Sequence, residues 1–132
     1  MFYALVAAAL AIASNIYVAR VIDVIDGDTI RVEISLTDDL SLTTSIRVRG
    51  IDTPELRGKC AAERALAERA RSALRSLLPP DTRVTISRLA RDKYGGRYDA
   101  DVETADGRSL ARALIDAGLA RPYTGGPRRG WC

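Results

Sequence analysis

The chain of 132 residues has the length of a single domain, and 47% of its residues are hydrophobic, which is enough to build a core. Its formal net charge is +3, and arginine supplies nearly all of the positive charge because Lys59 and Lys93 are the only lysines. Such a chain is compatible with a polyanionic ligand. The absence of histidine excludes Ser-His-Asp triads, histidine general bases and the usual zinc sites. Any hydrolysis must therefore depend on carboxylates, arginines and a metal ion bound by oxygen ligands.

Residues 1–13 (MFYALVAAALAIA) are apolar throughout, but this segment is too short to span a bilayer comfortably. Ala11-Ile12-Ala13 matches the small-x-small cleavage pattern of secretory signals, although no basic residue lies near Met1. The alternatives are an uncleaved membrane anchor, a misassigned start and an apolar N-terminal strand. We predict a signal peptide and hence an exported protein, periplasmic or secreted, which would be membrane-anchored if the segment is not cleaved.

Three strands are predicted in the first half of the chain. Residues 16–24 are rich in β-branched side chains, and residues 30–36 and 42–48 alternate apolar with polar side chains. Asp26-Gly27-Asp28 and Thr37–Leu40 are predicted as the turns between these strands. Each alternating strand therefore has one face that can pack against a core.

A long helix is predicted from Lys59 to Leu78, and Pro79-Pro80 ends it. Charged residues such as Glu63 alternate with apolar residues that recur at helical spacing. The predicted apolar stripe consists of Ala62, Leu66, Ala70, Ala73, Leu74 and Leu77.

Two further strands are predicted around residues 84–86 and 98–102, followed by a short helix that ends at Gly118. The order of three strands, a helix, two strands and a helix is that of an OB-fold barrel. We therefore predict an α+β protein, mainly β, with a five-stranded OB-fold barrel and two helices. The chain is divided into an N-terminal hydrophobic segment, the OB-fold domain and a C-terminal tail, which are residues 1–13, 16–123 and 124–132.

Two carboxylates in separate turns could bind a hard metal ion. Asp28 and Asp52, together with the Thr53 carbonyl and water, would supply the oxygen ligands that calcium prefers. Each aspartate taken alone has an alternative as a turn residue that bonds its own backbone. Asp26 either caps its turn or approaches the metal, and we favour the turn.

Glu55 is the candidate general base, because a carboxylate beside a metal site can take the proton of an attacking water. Its alternative is an acidic residue favoured near a helix start. Arg47 and Arg97 are the candidate phosphate clamp, and Arg49, on the same strand face as Arg47, is a rival for that role. Tyr94 either contacts a phosphate or base or is a half-buried loop aromatic. This set of side chains suits metal-assisted cleavage of a phosphodiester.

Three sequence blocks carry a resemblance to a known family: Asp-Gly-Asp-Thr at 26–29, Arg-x-x-Gly-Ile-Asp-Thr-Pro-Glu at residues 47–55, and Asp-Lys-Tyr-Gly-Gly-Arg at 92–97. In this order and spacing they resemble the thermonuclease family of staphylococcal-nuclease-like proteins, over roughly residues 20–123. The resemblance implies an OB-fold barrel and a calcium-dependent endonuclease that hydrolyses DNA and RNA and leaves 3′-phosphates.

The resemblance also implies roles for individual residues. The carboxylates of Asp28 and Asp52 and the carbonyl of Thr53 would bind calcium, Glu55 would be the general base, Arg47 and Arg97 would be the catalytic arginines, and Tyr94, Lys93 and Arg49 would contact substrate. We expect a monomer that acts on nucleic acid, with single strands favoured because a shallow barrel face binds splayed strands most easily. The alternative is an OB-fold module that binds nucleic acid without cutting it. The Gly95-Gly96 pair is one residue longer than in the best-known members, which changes the reach of Arg97.

Cys60 and Cys132 are the only cysteines. In an exported protein an even number of cysteines favours a disulfide, whereas in a reducing cytosol they would be two unrelated thiols. Gly58-Lys59-Cys60 and the terminal Trp131-Cys132 resemble a bacterial exported subgroup of the family, and this resemblance favours the disulfide.

Overall fold

The structure is a computed structural model, and it describes residues 15–132. The predicted signal peptide at residues 1–13 therefore lies outside the described residues. Within residues 15–132, no helix is both long and apolar enough to cross a membrane.

Five strands form a closed barrel, and two helices and a small two-stranded sheet are added to it. The predicted fold class, an α+β protein built on a five-stranded OB-fold barrel, is confirmed. In chain order the elements are β1 (Ile16–Asp26), β2 (Thr29–Ser35), β3 (Ser41–Val48), β4 (Ile51–Asp52), α1 (Ala61–Leu77), β5 (Arg83–Arg91), β6 (Arg97–Thr104), α2 (Leu110–Asp116) and β7 (Arg121–Pro122).

The order of strands around the barrel is β1-β2-β3-β6-β5, and β1 pairs with β5 to close it. All neighbours are antiparallel except β3 and β6, which run parallel with Arg47 opposite Asp99. Two irregularities in the pairing of β1 with β2 bend β1, as bulges do in small barrels. The short strands β4 and β7 pair outside the barrel with Asp52 opposite Arg121, and the sequence did not predict this pair.

Aliphatic side chains fill the barrel, as the alternating patterns predicted. Val21, Ile30, Ile46 and Ile86 are fully buried, and they come from β1, β2, β3 and β5. Burying a side chain of this size stabilises the fold by about 1.5–3 kcal/mol each relative to leaving it exposed. The barrel is thus a rigid support for the turns and loops at its ends.

The face that α1 presents to the barrel differs from the predicted stripe. Ala67, Ala70 and Leu74 are buried, whereas Ala62 and Leu77 are exposed. The reason is a close approach between α1 and the β1–β2 turn, where a Cβ atom on Gly27 would lie only 2.9 Å from the Cβ of Ala70. Small residues are needed at this contact, so the alanines face the barrel.

Candidate active site

A cleft of about 970 Å³ opens where the β1–β2 turn, the end of β3, the β5–β6 loop and the C-terminal tail meet. The predicted site residues that line it are Asp28, Arg47, Arg49, Glu55, Lys93, Tyr94 and Arg97. Asp52 and Thr53 are each only 3% exposed. The fold therefore brings together blocks that are far apart in sequence.

The β1–β2 turn fixes Asp28. The carboxylate of Asp26 accepts a hydrogen bond from the Asp28 N–H at 3.1 Å, so Asp26 caps the turn as favoured. The hydroxyl of Thr29 donates to the Asp28 carboxylate at 2.8 Å. Burial, together with the neighbouring Asp28 carboxylate, raises the pKa of Asp26 to about 7. Asp26 is therefore only partly ionised near neutral pH.

Arg47 contacts Asp28 and the residue that precedes Asp52. Its Nη2 donates to the Ile51 carbonyl at 3.2 Å, and its Nε lies 3.7 Å from the Asp28 carboxylate. The N–H of Val48 donates to the Asp28 carbonyl at 2.8 Å, which joins the turn to β3. Gly50, with φ of 86°, reverses the chain in a conformation that other residues rarely adopt. The guanidinium of Arg47 is thus positioned by the backbone of the loop that carries Asp52.

Asp52 and Thr53 present oxygen atoms that suit a hard cation. The carboxylate of Asp52 is buried, and its Oδ1 is in contact with the guanidinium of Arg128. That contact is an ion pair of poor hydrogen-bond direction, because Oδ1 has no hydrogen-bond partner of acceptable geometry within residues 15–132. The Thr53 carbonyl accepts from the same guanidinium at 3.3 Å. A buried carboxylate and a carbonyl directed at one positive charge form a donor set that fits calcium.

A metal ion at this position would depend on few protein ligands. Among the residues that the structure describes, no group of three or more Asp, Glu, Cys or His side chains is arranged to hold a metal. The predicted set of two carboxylates, one carbonyl and water remains compatible with that finding, because calcium accepts carbonyls and water readily. Such a site would bind calcium weakly until a substrate phosphate adds an oxygen.

Glu55 has an exposed carboxylate but a fixed backbone. Its Oε1 lies 3.1 Å from Nη1 of Arg128. Its N–H donates to Oε2 of Glu63 at 3.0 Å, and the N–H of Lys59 donates to Oε1 of Glu63 at 3.2 Å. The exposed fraction of Glu63 is only 7%, so this helix residue holds the loop that carries the candidate base.

Glu63 is a site residue that the sequence did not reveal. The hydrogen bond from the Glu55 N–H is the main reason that the pKa of Glu63 is lowered. Cys60 caps α1, and its sulfur accepts from the Glu63 N–H at 3.4 Å. A glutamate three residues after a helix cap can reach back to the N–H groups that precede the helix. The spacing of Cys60 and Glu63 was therefore the available signal for this role. Gly58 must lack a side chain, since a Cβ there would lie 2.5 Å from Glu63.

The β5–β6 loop supplies Arg97, which a buried aspartate orients. The Nε of Arg97 lies 3.1 Å from Asp92, and Asp92 also accepts the Tyr94 N–H at 2.8 Å. Burial alone would raise the pKa of Asp92, but hydrogen bonds from Asp99 and Tyr94 and the charge of Arg97 lower it. Burial and the Asp92 carboxylate raise the pKa of Asp99. Asp92 is therefore the ionised partner that holds the guanidinium at the cleft.

The rest of this loop is exposed. Gly95 and Gly96 have φ of 72° and 70°, so the additional residue is accommodated in the left-handed conformation that glycine adopts without strain. Tyr94 is 76% exposed, which shows that its interpretation as a half-buried aromatic is wrong. The Lys93 ammonium lies 5.2 Å from the centre of the Tyr94 ring. Both side chains are available to a ligand in the cleft.

Arg49 has a different environment from Arg47. Its Nη2 donates to the carbonyls of Arg88 at 2.7 Å and Asp99 at 3.2 Å. The pairing of β5 with β6 is irregular between Ser87 and Ala90, which leaves the Arg88 carbonyl outside the regular ladder. The guanidinium of Arg49 thus ties two strands together, and this geometry favours Arg47 and Arg97 as the pair that faces a phosphate.

The C-terminal tail also reaches the cleft, which the sequence did not predict. Cys60 and Cys132 form a disulfide across 72 residues, with their Cα atoms 6.0 Å apart. The indole N–H of Trp131 donates to Oδ2 of Asp52 at 3.1 Å. Arg128 contacts Asp52, Thr53 and Glu55. The terminal Trp131-Cys132 favoured the disulfide, but for the contacts of Arg128 and Trp131 with the site the sequence offered only a tail rich in glycine and arginine.

A family model described as staphylococcal nuclease homologue matches residues 45–129. The chain belongs to the staphylococcal nuclease homologue family. The matched segment runs from β3 into the tail, and it contains Arg47, Glu55, Arg97 and Arg128, whereas Asp28 precedes it. No curated protein matches the chain. Membership of this family indicates a nuclease-like or nucleic-acid-binding protein.

Proposed function

We propose that this protein is a calcium-dependent nuclease that hydrolyses phosphodiester bonds of DNA and RNA and leaves 3′-phosphates. The observation that supports this proposal is the combination of two kinds of group in one cleft. Carboxylate and carbonyl oxygens come from Asp28, Asp52, Thr53 and Glu55 on one side of the cleft or beneath it. The guanidinium groups of Arg47 and Arg97, which face the same space, would bind a phosphate.

The residues of the chain would divide the reaction among them. Calcium held by Asp28, Asp52 and the Thr53 carbonyl would supply positive charge to the phosphate and to the attacking water. Glu55 accepts the proton of the water as its oxygen bonds to phosphorus. Arg47 and Arg97 stabilise the negative charge that builds on the equatorial oxygens. The bond from phosphorus to the 5′-oxygen then breaks, the 5′-oxygen takes a proton from solvent, and the phosphate remains on the 3′ side.

The substrate in this proposal is nucleic acid with an accessible strand. The exposed ring of Tyr94 offers a stacking surface for a base, and Lys93 beside it offers a charge for the backbone. An open cleft on the end of a small barrel can accept a splayed strand more easily than an intact duplex. We therefore propose that single-stranded or frayed DNA and RNA are cut by the monomer.

We also propose that the protein acts outside the cytosol. Disulfides persist in oxidising compartments, and Cys60 and Cys132 form one across a sequence separation of 72. The apolar segment at residues 1–13 would direct export.

One observation favours a second candidate, a non-catalytic OB-fold module that binds nucleic acid. The guanidinium of Arg128 contacts the oxygens of Asp52, Thr53 and Glu55, which the nuclease would need for metal and water. In a binding module this contact would be permanent, and the cleft would present only arginines to the phosphate.

Digestion of heat-denatured DNA, in calcium and in EGTA, tests the two candidates. The full chain should cut the DNA in calcium but not in EGTA. Glu55→Gln should reduce turnover in calcium by about 10²–10⁴-fold. Glu68→Gln is the matched control, since Glu68 is exposed on α1 and pairs with Arg71 away from the cleft. Binding of the DNA without cutting in calcium would reject the nuclease and support the module.

A further inference from the structure

The C-terminal arm, defined here as residues 123–132, has no helix or strand but is folded back onto the cleft. The N–H of Tyr123 donates to the Gly50 carbonyl at 2.9 Å, and the Tyr123 hydroxyl donates to the Gly126 carbonyl at 2.6 Å. The guanidinium of Arg121 lies 3.6 Å from the centre of the Trp131 ring. The disulfide then fixes the last residue to the start of α1. Contacts at both ends of the arm therefore hold its middle over the site.

In the middle of the arm, one positively charged side chain contacts oxygen atoms of three residues. The guanidinium of Arg128 forms an ion pair with Oδ1 of Asp52. It donates to the Thr53 carbonyl at 3.3 Å and lies 3.1 Å from Oε1 of Glu55. Among residues 15–132, the neighbouring Arg129 enters this network only through its carbonyl, which accepts from Arg121. The contact with the site therefore depends on the identity of residue 128 and not on the general charge of the arm.

A calcium ion and this guanidinium cannot use the same oxygens together. Calcium binds carboxylate and carbonyl oxygens directly, at about 2.3–2.6 Å. A guanidinium in contact with these oxygens occupies the space beside them, and its positive charge repels a second cation. Resting on the proposed function, we propose that Arg128 is an internal counter-cation that competes with calcium for Asp52 and Thr53, and that calcium binds only when the arm withdraws Arg128.

The environment of Asp52 explains why such a residue would be present. A carboxylate with an exposed fraction of 3% is costly without a partner, because burial removes the water that would stabilise its charge. Arg128 supplies the partner while no metal is bound, and Trp131 bonds the other oxygen of the carboxylate. The disulfide keeps the guanidinium near its target and so raises its effective concentration at the site.

Calcium titrations without nucleic acid test this inference. Isothermal calorimetry on the oxidised full chain should show about tenfold tighter binding in Arg128→Gln than in the wild type, which corresponds to an arm that is closed in about nine molecules of ten. Arg129→Gln, the matched control, removes the same charge from the adjacent position and should bind like the wild type. Equal or weaker binding in Arg128→Gln, or no binding in either protein, would overturn the inference.

The only tryptophan gives a second readout. Because the Trp131 indole bonds Asp52, withdrawal of the arm on binding calcium should change its fluorescence in the wild type. Cys132→Ser frees the arm but keeps the Cys60 cap of α1, and its calcium affinity should lie between those of the wild type and Arg128→Gln. An unchanged affinity in Cys132→Ser, or no fluorescence change in a wild type that binds calcium, would contradict the inference. If Arg128→Gln binds calcium more tightly than the wild type but neither protein cuts DNA, the inference about Arg128 is supported and the nuclease proposal is rejected.

Discussion

The two sides of the cleft are built in different ways. On the β3–β4 side, Arg47 is bonded to a backbone carbonyl, Asp52 is buried, and the Glu55 backbone is held by a carboxylate of α1. On the β5–β6 side, a single buried carboxylate, that of Asp92, orients Arg97. The remainder of that loop consists of exposed residues and two glycines in the left-handed conformation.

This difference suggests a division of labour. Groups that must be placed accurately for chemistry are supported by several hydrogen bonds on the rigid side, since small displacements of reacting groups cost large factors in rate. Tyr94 and Lys93, which only need to meet a flexible strand, lie in the exposed part of the adaptable side, whereas Arg97 on that side is oriented by Asp92. Substitutions on the β3–β4 side should therefore reduce turnover, and those on the exposed loop should mainly weaken substrate binding.

After Glu55→Gln, the largest effect is expected from Arg47, and Arg49, two residues further along the chain, provides the comparison. Arg47→Ala should lower turnover on denatured DNA by about 10²–10³-fold, as the loss of one donor to a transition-state oxyanion does. Arg49→Ala removes bonds to two carbonyls, so it should lower the free energy of unfolding by about 1.5–3 kcal/mol. Steady-state kinetics and urea unfolding of both variants separate these roles. If Arg49→Ala loses turnover at unchanged stability, the assignment of the two arginines is reversed.

A smaller effect is expected from Glu63, which touches no substrate and acts by positioning Glu55. Glu63→Gln leaves one acceptor for two N–H groups, because the amide nitrogen is a donor. The loop should loosen, and turnover should fall by about tenfold with little change in KM. The exposed Glu68→Gln serves again as the control.

The pH dependence of stability gives Glu63 a second readout. Its pKa is lowered in the folded state, so its contribution to stability is present above the ordinary glutamate value of 4.5 and is lost as the pH falls through the folded pKa. Thermal unfolding should show Glu63→Gln as less stable than the wild type at pH 7, and the difference should shrink on acidification below that value. A difference that is constant with pH would show that the carboxylate charge plays no part.

The sequence predicted the barrel well because its strands alternate regularly and only aliphatic residues could fill the core. It also predicted that Arg47, Asp52 and Glu55 lie near one another, because one short motif carries all three at the end of β3 and in the segment that follows. It did not reveal Glu63, since a charged residue in a helix ordinarily faces solvent. The buried face of α1 also differs from the predicted stripe. The close approach of Gly27 to Ala70 depends on tertiary packing, which the helical period of the sequence does not show.

The arm could not have been predicted by the same means. Its contacts join residues 75 and 79 positions apart, from Arg128 to Thr53 and from Trp131 to Asp52. Local propensity and periodicity carry no information over such distances. The sequence did not reveal the bonds of Arg49 either. Strand alternation predicts which face a side chain lies on, but it does not show that an irregular pairing on a neighbouring strand leaves a carbonyl for Arg49 to bond.

The smallest effect is expected from Tyr94, on the adaptable side of the cleft. Its side chain is 76% exposed, so a base stacked on it would be only partly shielded from water. Stacking of this kind contributes about 1–3 kcal/mol per base, and the lower end applies to an exposed ring. Tyr94→Ala should therefore raise KM for denatured DNA by about five- to tenfold and leave kcat within about twofold, whereas Tyr94→Phe, which keeps the ring, should change KM by less than about threefold. Should Tyr94→Ala instead reduce kcat as strongly as Arg47→Ala, the exposed loop takes part in the chemistry, and the division between the two sides of the cleft does not hold.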